Sequence, residues 1–158
     1  REYNRAYACR SQRTHEELFY RVCETLAYDP VLFDAVDNGT PIYHTNVLMC
    51  MSRNYVVICL EAIPEQKDRQ LLLDTFTKDN KEVVEITADQ MRHFAGNMLQ
   101  VYGKQGEPFL VMSRRAHDAL TPRQLDRLTS FNKLIVPSLD TIETHGGGSA
   151  RCMLAEVV

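Results

Sequence analysis

The sequence has no tryptophan, no Cys-x-x-Cys pair and no long apolar run. Each absence closes off a class of protein. No stretch approaches the ~20 apolar residues that a helix needs to cross a bilayer, so no membrane partner is expected. No positively charged, then apolar, secretory leader opens the chain. Net charge is also scarce: 18 Lys and Arg stand against 21 Asp and Glu, a balance of -3. That balance offers no general phosphate-binding surface, and nucleic acid is not expected as a partner. The chain does not begin with Met. Arg1-Glu2-Tyr3 reads as a start in mid-protein, so these 158 residues are expected to belong to a longer one. What is present, 44% apolar and 25% charged residues, suits one folded globular unit rather than a disordered segment.

Five cysteines remain, an odd number: Cys9, Cys23, Cys50, Cys59 and Cys152. Four lie in apolar runs, where a reduced thiol acts as a small hydrophobe. This pattern argues against a disulfide framework and for a reducing compartment, the cytoplasm. His44, Cys50, Cys59 and His93 offer metal-ligand types, but their spacings match no compact zinc pattern, so no metal is expected.

The chain repeats itself with a period near fifty residues. Extended runs over 29–36, 81–88 and 133–140 begin 52 residues apart and read as strands. A helix precedes each. The first carries Thr14 with Glu17 as a capping box, and Leu18, Phe19, Val22 and Leu26 on one face. Pro64 opens the second, with Leu71, Leu72 and Phe76. Thr121, Pro122 and Gln124 open the third as N-cap, N1 proline and capping-box glutamine, with Leu120 and Leu125 as a hydrophobic staple. Further strands precede the helices at Arg5–Cys9, Tyr55–Leu60 and Phe109–Ser113. A fourth, strand-like element recurs at Ile42–Met51, Phe94–Tyr102 and Ser149–Val158. Each module is then strand, strand, helix, strand, an α/β architecture whose units must pack side by side to bury their apolar faces.

The repeat also points to a site. Asn46-Val47-Leu48 aligns with Asn97-Met98-Leu99 at an offset of 51, and that with Cys152-Met153-Leu154 at an offset of 55. In a radial arrangement, Asn46, Asn97 and Cys152 face one axis, with His44 two residues ahead of Asn46 on the same strand face. Cys152 follows Gly146-Gly147-Gly148, where backbone N–H groups are free to approach a ligand or a developing charge. A thiol there is placed to be exposed. Paired with a histidine, it could serve as a nucleophile with an acid–base partner. The alternatives are a flexible turn before a buried cysteine, and a core histidine at 44. Arg13, in Ser11-Gln12-Arg13-Thr14 at a strand–helix junction, has the fork geometry that holds a carboxylate. Arg114 and Arg115 occupy the matching junction in the third module.

His44-Thr-Asn-Val, Phe94-Ala-Gly-Asn-Met-Leu99 and Gly146-Gly-Gly-Ser-Ala-Arg-Cys-Met153 resemble the amidinotransferase, or guanidine-modifying, superfamily. It includes arginine deiminase, dimethylarginine dimethylaminohydrolase and glycine amidinotransferase. The resemblance spans essentially the whole chain in order, and the nearest subgroup by these motifs is the citrulline-utilisation hydrolases. It implies a five-bladed α/β propeller (pentein) of ββαβ modules, with residues 1–158 forming about three blades at the C-terminal end of a single catalytic domain. It further implies hydrolysis of a non-peptide C–N bond in a guanidino or ureido amino acid, citrulline or arginine-like, with no cofactor. By this analogy Cys152 is the nucleophile and His44 the acid and base. Arg13 matches the family arginine that holds the substrate α-carboxylate. Asn46 and Gly147 join them as substrate-binding residues.

Arginine deiminases carry an acidic residue two positions after the histidine, where this chain has Asn46, which points to a different headgroup. The family's guanidinium-binding carboxylates come from blades ahead of this chain. The missing N-terminal blades are therefore an expected partner, and the piece alone is expected to be inactive. Exposed edges of an open piece leave a homo-oligomer open. An amidinotransferase, a non-catalytic propeller that binds an amino acid or a partner protein, and a cysteine peptidase are the competing readings.

Overall fold

The computed structural model describes residues 4–155. Its elements are β1 (Arg5–Cys9), α1 (Glu16–Leu26), β2 (Asp29–Phe33), β3 (Val36–Asp37), β4 (Thr40–Pro41), β5 (Met49–Met51), β6 (Tyr55–Ile58), α2 (Gln66–Lys78), β7 (Glu82–Glu85), α3 (Ala88–Arg92), β8 (Leu99–Tyr102), β9 (Pro108–Val111), α4 (Arg114–Ala119), α5 (Pro122–Thr129), β10 (Lys133–Ile135) and α6 (Asp140–His145).

The ββαβ module is present twice. β5 runs antiparallel to β6, with Met49 opposite Ile58, and β6 parallel to β7, with Tyr55 opposite Glu82. β8 and β9 repeat the antiparallel pair, and β9 runs parallel to β10. The first unit is a βαβ piece, with β1 parallel to β2 from Arg5 opposite Asp29 to Cys9 opposite Phe33. The sheets stay separate, and none closes on itself among the described residues. Among those residues no helix is long and apolar enough to cross a membrane.

The core follows the central strands. Tyr55, Val56, Val57 and Ile58 of β6 are all fully buried, as a strand covered on both faces requires. Each such apolar side chain contributes roughly 1.5–3 kcal/mol through burial. The one polar group of the row, the Tyr55 hydroxyl, accepts from Asn132 Nδ2 at 2.8 Å. Two joints fix the modules to each other. Arg5 Nε lies 2.7 Å from the buried Asp79 carboxylate, which ties β1 to the end of α2. The other joint is made of two capping boxes, Thr87 with Gln90 on α3 and Thr121 with Gln124 on α5. Gln90 Nε2 donates to Gln124 Oε1 at 2.8 Å, and Gln124 Nε2 returns a bond to Gln90 Oε1 at 3.0 Å. One amide pair thus caps two helices and locks the second module to the third.

Several boundaries differ from the sequence reading. The runs at 29–36, 81–88 and 133–140 keep only their first residues as strand. Thr87 ends the second by capping α3, and the third gives way at Val136 and Pro137 before α6 begins. The Ile42–Met51 element is a 3-10 turn at Thr45–Val47 followed by β5, so His44 and Asn46 do not share a strand face. Phe94–Asn97 is likewise a turn before β8. The segment from Ser149 forms a 3-10 turn at Ala150–Met153, and residues 156–158 of that expected strand lie outside the described ones. Pro64 precedes α2, whose N-cap is Glu65. The α1 box is absent: Thr14 N–H donates to the Ser11 carbonyl in a tight turn, and His15 takes the cap position. The expected core face of α1 faces solvent instead. Leu18, Val22 and Leu26 are 56%, 46% and 58% exposed, and the helix is anchored through Cys23. The Thr121–Gln124 box forms as the sequence indicates.

Candidate active site

Three turns, each at the start or end of a module, meet at one thiol. The first is His44–Leu48. Val47 N–H donates to the His44 carbonyl at 3.0 Å, and the Thr45 hydroxyl accepts from Cys9 N–H at 3.0 Å, which pins the turn to the end of β1. In the second, the chain leaves α3 through Phe94 in the left-handed region, φ +66°, and Asn97 N–H closes the turn on the Phe94 carbonyl at 2.8 Å. Gly96 is required there. A Cβ would overlap the Val47 carbonyl oxygen and stand 2.8 Å from the Leu48 carbonyl carbon. The third turn is Ser149–Met153, in which Cys152 N–H donates to the Ser149 carbonyl at 3.0 Å.

Asn97 joins all three. Its Nδ2 donates to the Asn46 carbonyl at 2.9 Å and to Cys152 Sγ at 3.1 Å. Its Oδ1 accepts from the N–H groups of Arg151 at 3.1 Å and Cys152 at 3.4 Å. Asn97 is buried, so these bonds form out of competition with water. Asn46 Nδ2 approaches the same sulfur at 3.8 Å, while Asn46 Oδ1 is buried without a bond to the described residues. The thiol therefore faces two amide donors, an arrangement suited to electron density on sulfur.

A cavity of about 110 Å³ opens at the sulfur, lined by residues that include His44, Asn46, Asn97, Gly147 and Cys152. Gly148 leaves room beside the thiol, since a Cβ there would stand 3.2 Å from Sγ. The other four cysteines are buried, and burial pushes each thiol up, that of Cys50 to about 12. Cys152 alone is exposed.

The fold thus brings together four of the five residues singled out in the sequence. His44 is exposed at the cavity wall rather than packed in the core. Arg13 stands outside the cavity, with its guanidinium 5.1 Å above the Tyr43 ring. Nothing in the sequence pattern marks Tyr43, yet its ring lies edge-on to His44 with centroids 4.8 Å apart and its hydroxyl donates to the Gly147 carbonyl at 3.3 Å. In the sequence, Asn97 is marked only by its repeat register with Asn46. Arg151, next to the thiol in sequence, turns its guanidinium to the Leu154 carbonyl at 3.1 Å. His15 occupies the N-cap position of α1 without a side-chain capping bond, and His145 ends α6. No three His, Cys, Asp or Glu side chains gather as a metal-holding group among the described residues.

The match of a family model to the whole chain places it in the guanidine-modifying, or pentein, superfamily. Within it, the chain belongs to the family described as "N,N dimethylarginine dimethylhydrolase, eukaryotic", whose model matches residues 1–158. No curated protein sequence matches. Among solved structures, the apo form of ArgZ, an arginine dihydrolase from the ornithine-ammonia cycle in cyanobacteria, superposes with a TM-score of 0.73 at 18% identity, over 96% of this chain and 22% of that one. The N-terminal domain of ArgZ, solved as a Cys-to-Ser mutant bound to substrate, gives 0.71 at 18% identity, over 96% of this chain and 51% of that one. AgrE in its ternary complex with ornithine and NAD+ gives 0.71 at 16% identity, over 98% of this chain and 21% of that one. The chain therefore spans about half of the isolated ArgZ domain and about a fifth of the longer chains. These likenesses establish the shared fold.

Proposed function

We propose that this chain carries the thiol end of the active site of a hydrolase that cleaves a C–N bond of a guanidino or ureido amino acid. The observation that carries the reading is Asn97 Nδ2 at 3.1 Å from the exposed Cys152 sulfur, in a cavity that His44 also lines. Cys152 Sγ passes its proton to His44 as it attacks the planar guanidino or ureido carbon and a C–S bond forms. The C–N bond breaks, and the departing ammonia or amine takes a proton from His44. His44 then removes a proton from water, whose oxygen bonds to the same carbon as the C–S bond breaks. His44 returns that proton to the sulfur, so the thiol is restored and no external electron donor or acceptor is needed. Asn97 and Asn46 steady the charge on sulfur at either end of this cycle. The Asn46 Oδ1 acceptor suits an N–H of the headgroup.

Arg13 holds the substrate α-carboxylate in this reading, with Tyr43 as the platform that aims it. The family description favours N,N-dimethylarginine, and arginine and citrulline are guanidino and ureido members of the same class. The remaining blades of a five-bladed propeller supply the carboxylates that hold a guanidinium, so the chain alone is expected to turn over no substrate. Five unpaired thiols fit a reducing compartment, the cytoplasm.

The test is intact-mass analysis of the full-length protein after treatment with 2-chloroacetamidine. The expected result is one adduct, confined to Cys152, formed in step with loss of arginine, methylarginine or citrulline turnover. A folded protein that takes no label would instead favour a non-catalytic amino-acid-binding propeller.

A further inference from the structure

We infer that Glu143 is a positioning residue for the thiol and acts through Ser149; the inference rests on the reading of Cys152 as nucleophile. The three glycines at 146–148 leave the approach to Cys152 without side chains of its own, and Gly147 sits at φ +68°. Such a segment is entropically loose unless both of its ends are held. Glu143, on α6, holds one end to the other. Its side chain is fully shielded from solvent. Its Oε1 accepts from the Ser149 hydroxyl at 2.6 Å. Ser149 is itself fully buried, and its carbonyl is the acceptor of Cys152 N–H at 3.0 Å. The glycines are thus spanned by a short charge-assisted bond whose far partner sets the turn that carries the sulfur.

The other carboxylate oxygen is buried without a hydrogen bond to the described residues but forms an ion pair with Arg115 Nε at 3.3 Å, and the Arg115 guanidinium stands 5.8 Å from the centroid of the Phe94 ring. Phe94 is the left-handed residue of the Asn97 turn and lines the cavity. Arg115 and Glu143 therefore join the turn that donates to sulfur with the turn that carries it. A carboxylate so placed adds little stability that an apolar side chain could not match. What it adds is direction, and a shift of about 1 Å in a reacting group can cost about 100-fold in rate.

The experiment compares Glu143→Ala, Glu143→Gln, Ser149→Ala and Cys152→Ser in the full-length protein. For Glu143→Ala, kcat is expected to fall about 10- to 100-fold while KM moves less than about 3-fold. Alkylation of Cys152 by 2-chloroacetamidine should slow in step with kcat, with the melting temperature held near that of the parent. Glu143→Gln keeps an acceptor for Ser149 and should recover most of the loss. A purely structural role would lower the folded fraction and leave the folded molecules alkylated at the parent rate, which overturns the inference. Glu143→Gln no better than Glu143→Ala overturns it too. If Glu143→Ala does not fold, Ser149→Ala decides, since parent-like kcat in that variant is incompatible with the role. Turnover by Cys152→Ser would instead strike the nucleophile reading itself, whatever the Glu143 variants do.

Discussion

Cys50 and Cys152 are the same side chain in opposite surroundings. Cys50 sits in β5, paired across the sheet with Val57, and burial pushes its thiol up to about 12. Cys152 sits in a 3-10 turn, open to solvent, with amide hydrogens from Asn97 and Asn46 aimed at its sulfur. The strand fills space and suppresses charge. The turn leaves space and supplies donors. The comparison extends to whole regions: strands of the modules make the core, while the turns between them make the site.

The largest effect expected separates the two thiols outright. In the full-length protein, Cys152→Ser should abolish turnover with folding intact, whereas Cys50→Ala should leave turnover per folded molecule unchanged. Activity in the first variant above about a few per cent of the parent would break the contrast. Asn97→Ala comes next. Loss of the donor to sulfur should reduce kcat by about 100-fold, beyond what any fall in melting temperature explains. Arg5→Met probes the core side. It strands the buried Asp79 without its guanidinium and should cost roughly 3 kcal/mol in urea unfolding, with turnover per folded molecule unchanged. Cys50→Ala itself should cost about 1–2 kcal/mol through the cavity it leaves.

The smallest effect lies at the joint between β7 and α5. The Arg127 guanidinium beside Glu82 holds its carboxyl below the usual carboxylate range. The folded value is the lower one, so the contribution is present above the ordinary pKa of about 4.3 and fades as pH falls through the folded value. Arg127→Gln should therefore lower the urea midpoint slightly at neutral pH, and the two midpoints should converge as pH falls below the lowered folded value. A gap that persists in acid would mean that the pair contributes packing rather than charge.

The modular fold was legible because strand and helix periods alternate at a fixed spacing, and because residues such as Thr121, Pro122 and Gln124 encode a helix start locally. Thr87-Ala88-Asp89-Gln90 carries the same code, yet it follows Val83, Val84 and Ile86 and reads as the tail of a strand. The turn at Thr45–Val47 was hidden for another reason. Ile42, Thr45 and Val47 favour extended backbone, and what bends the chain is the bond from Cys9 N–H to the Thr45 hydroxyl, 36 positions away. Tyr43 was missed because its contacts to Arg13 and Gly147 exist only after three segments meet. The nearness of Asn46, Asn97 and Cys152 was legible, since equivalent places in equivalent modules return to equivalent positions in space.

Gly96 acts as a feeler gauge between two of those modules. The clearance it sets is one methyl group less than any other residue would allow, and the bond from Asn97 to the Asn46 carbonyl spans that gap. A thicker residue would wedge the second module away from the third and pull one amide back from the sulfur. The tolerance to which the site is machined is thus recorded at a position that touches neither the thiol nor the cavity.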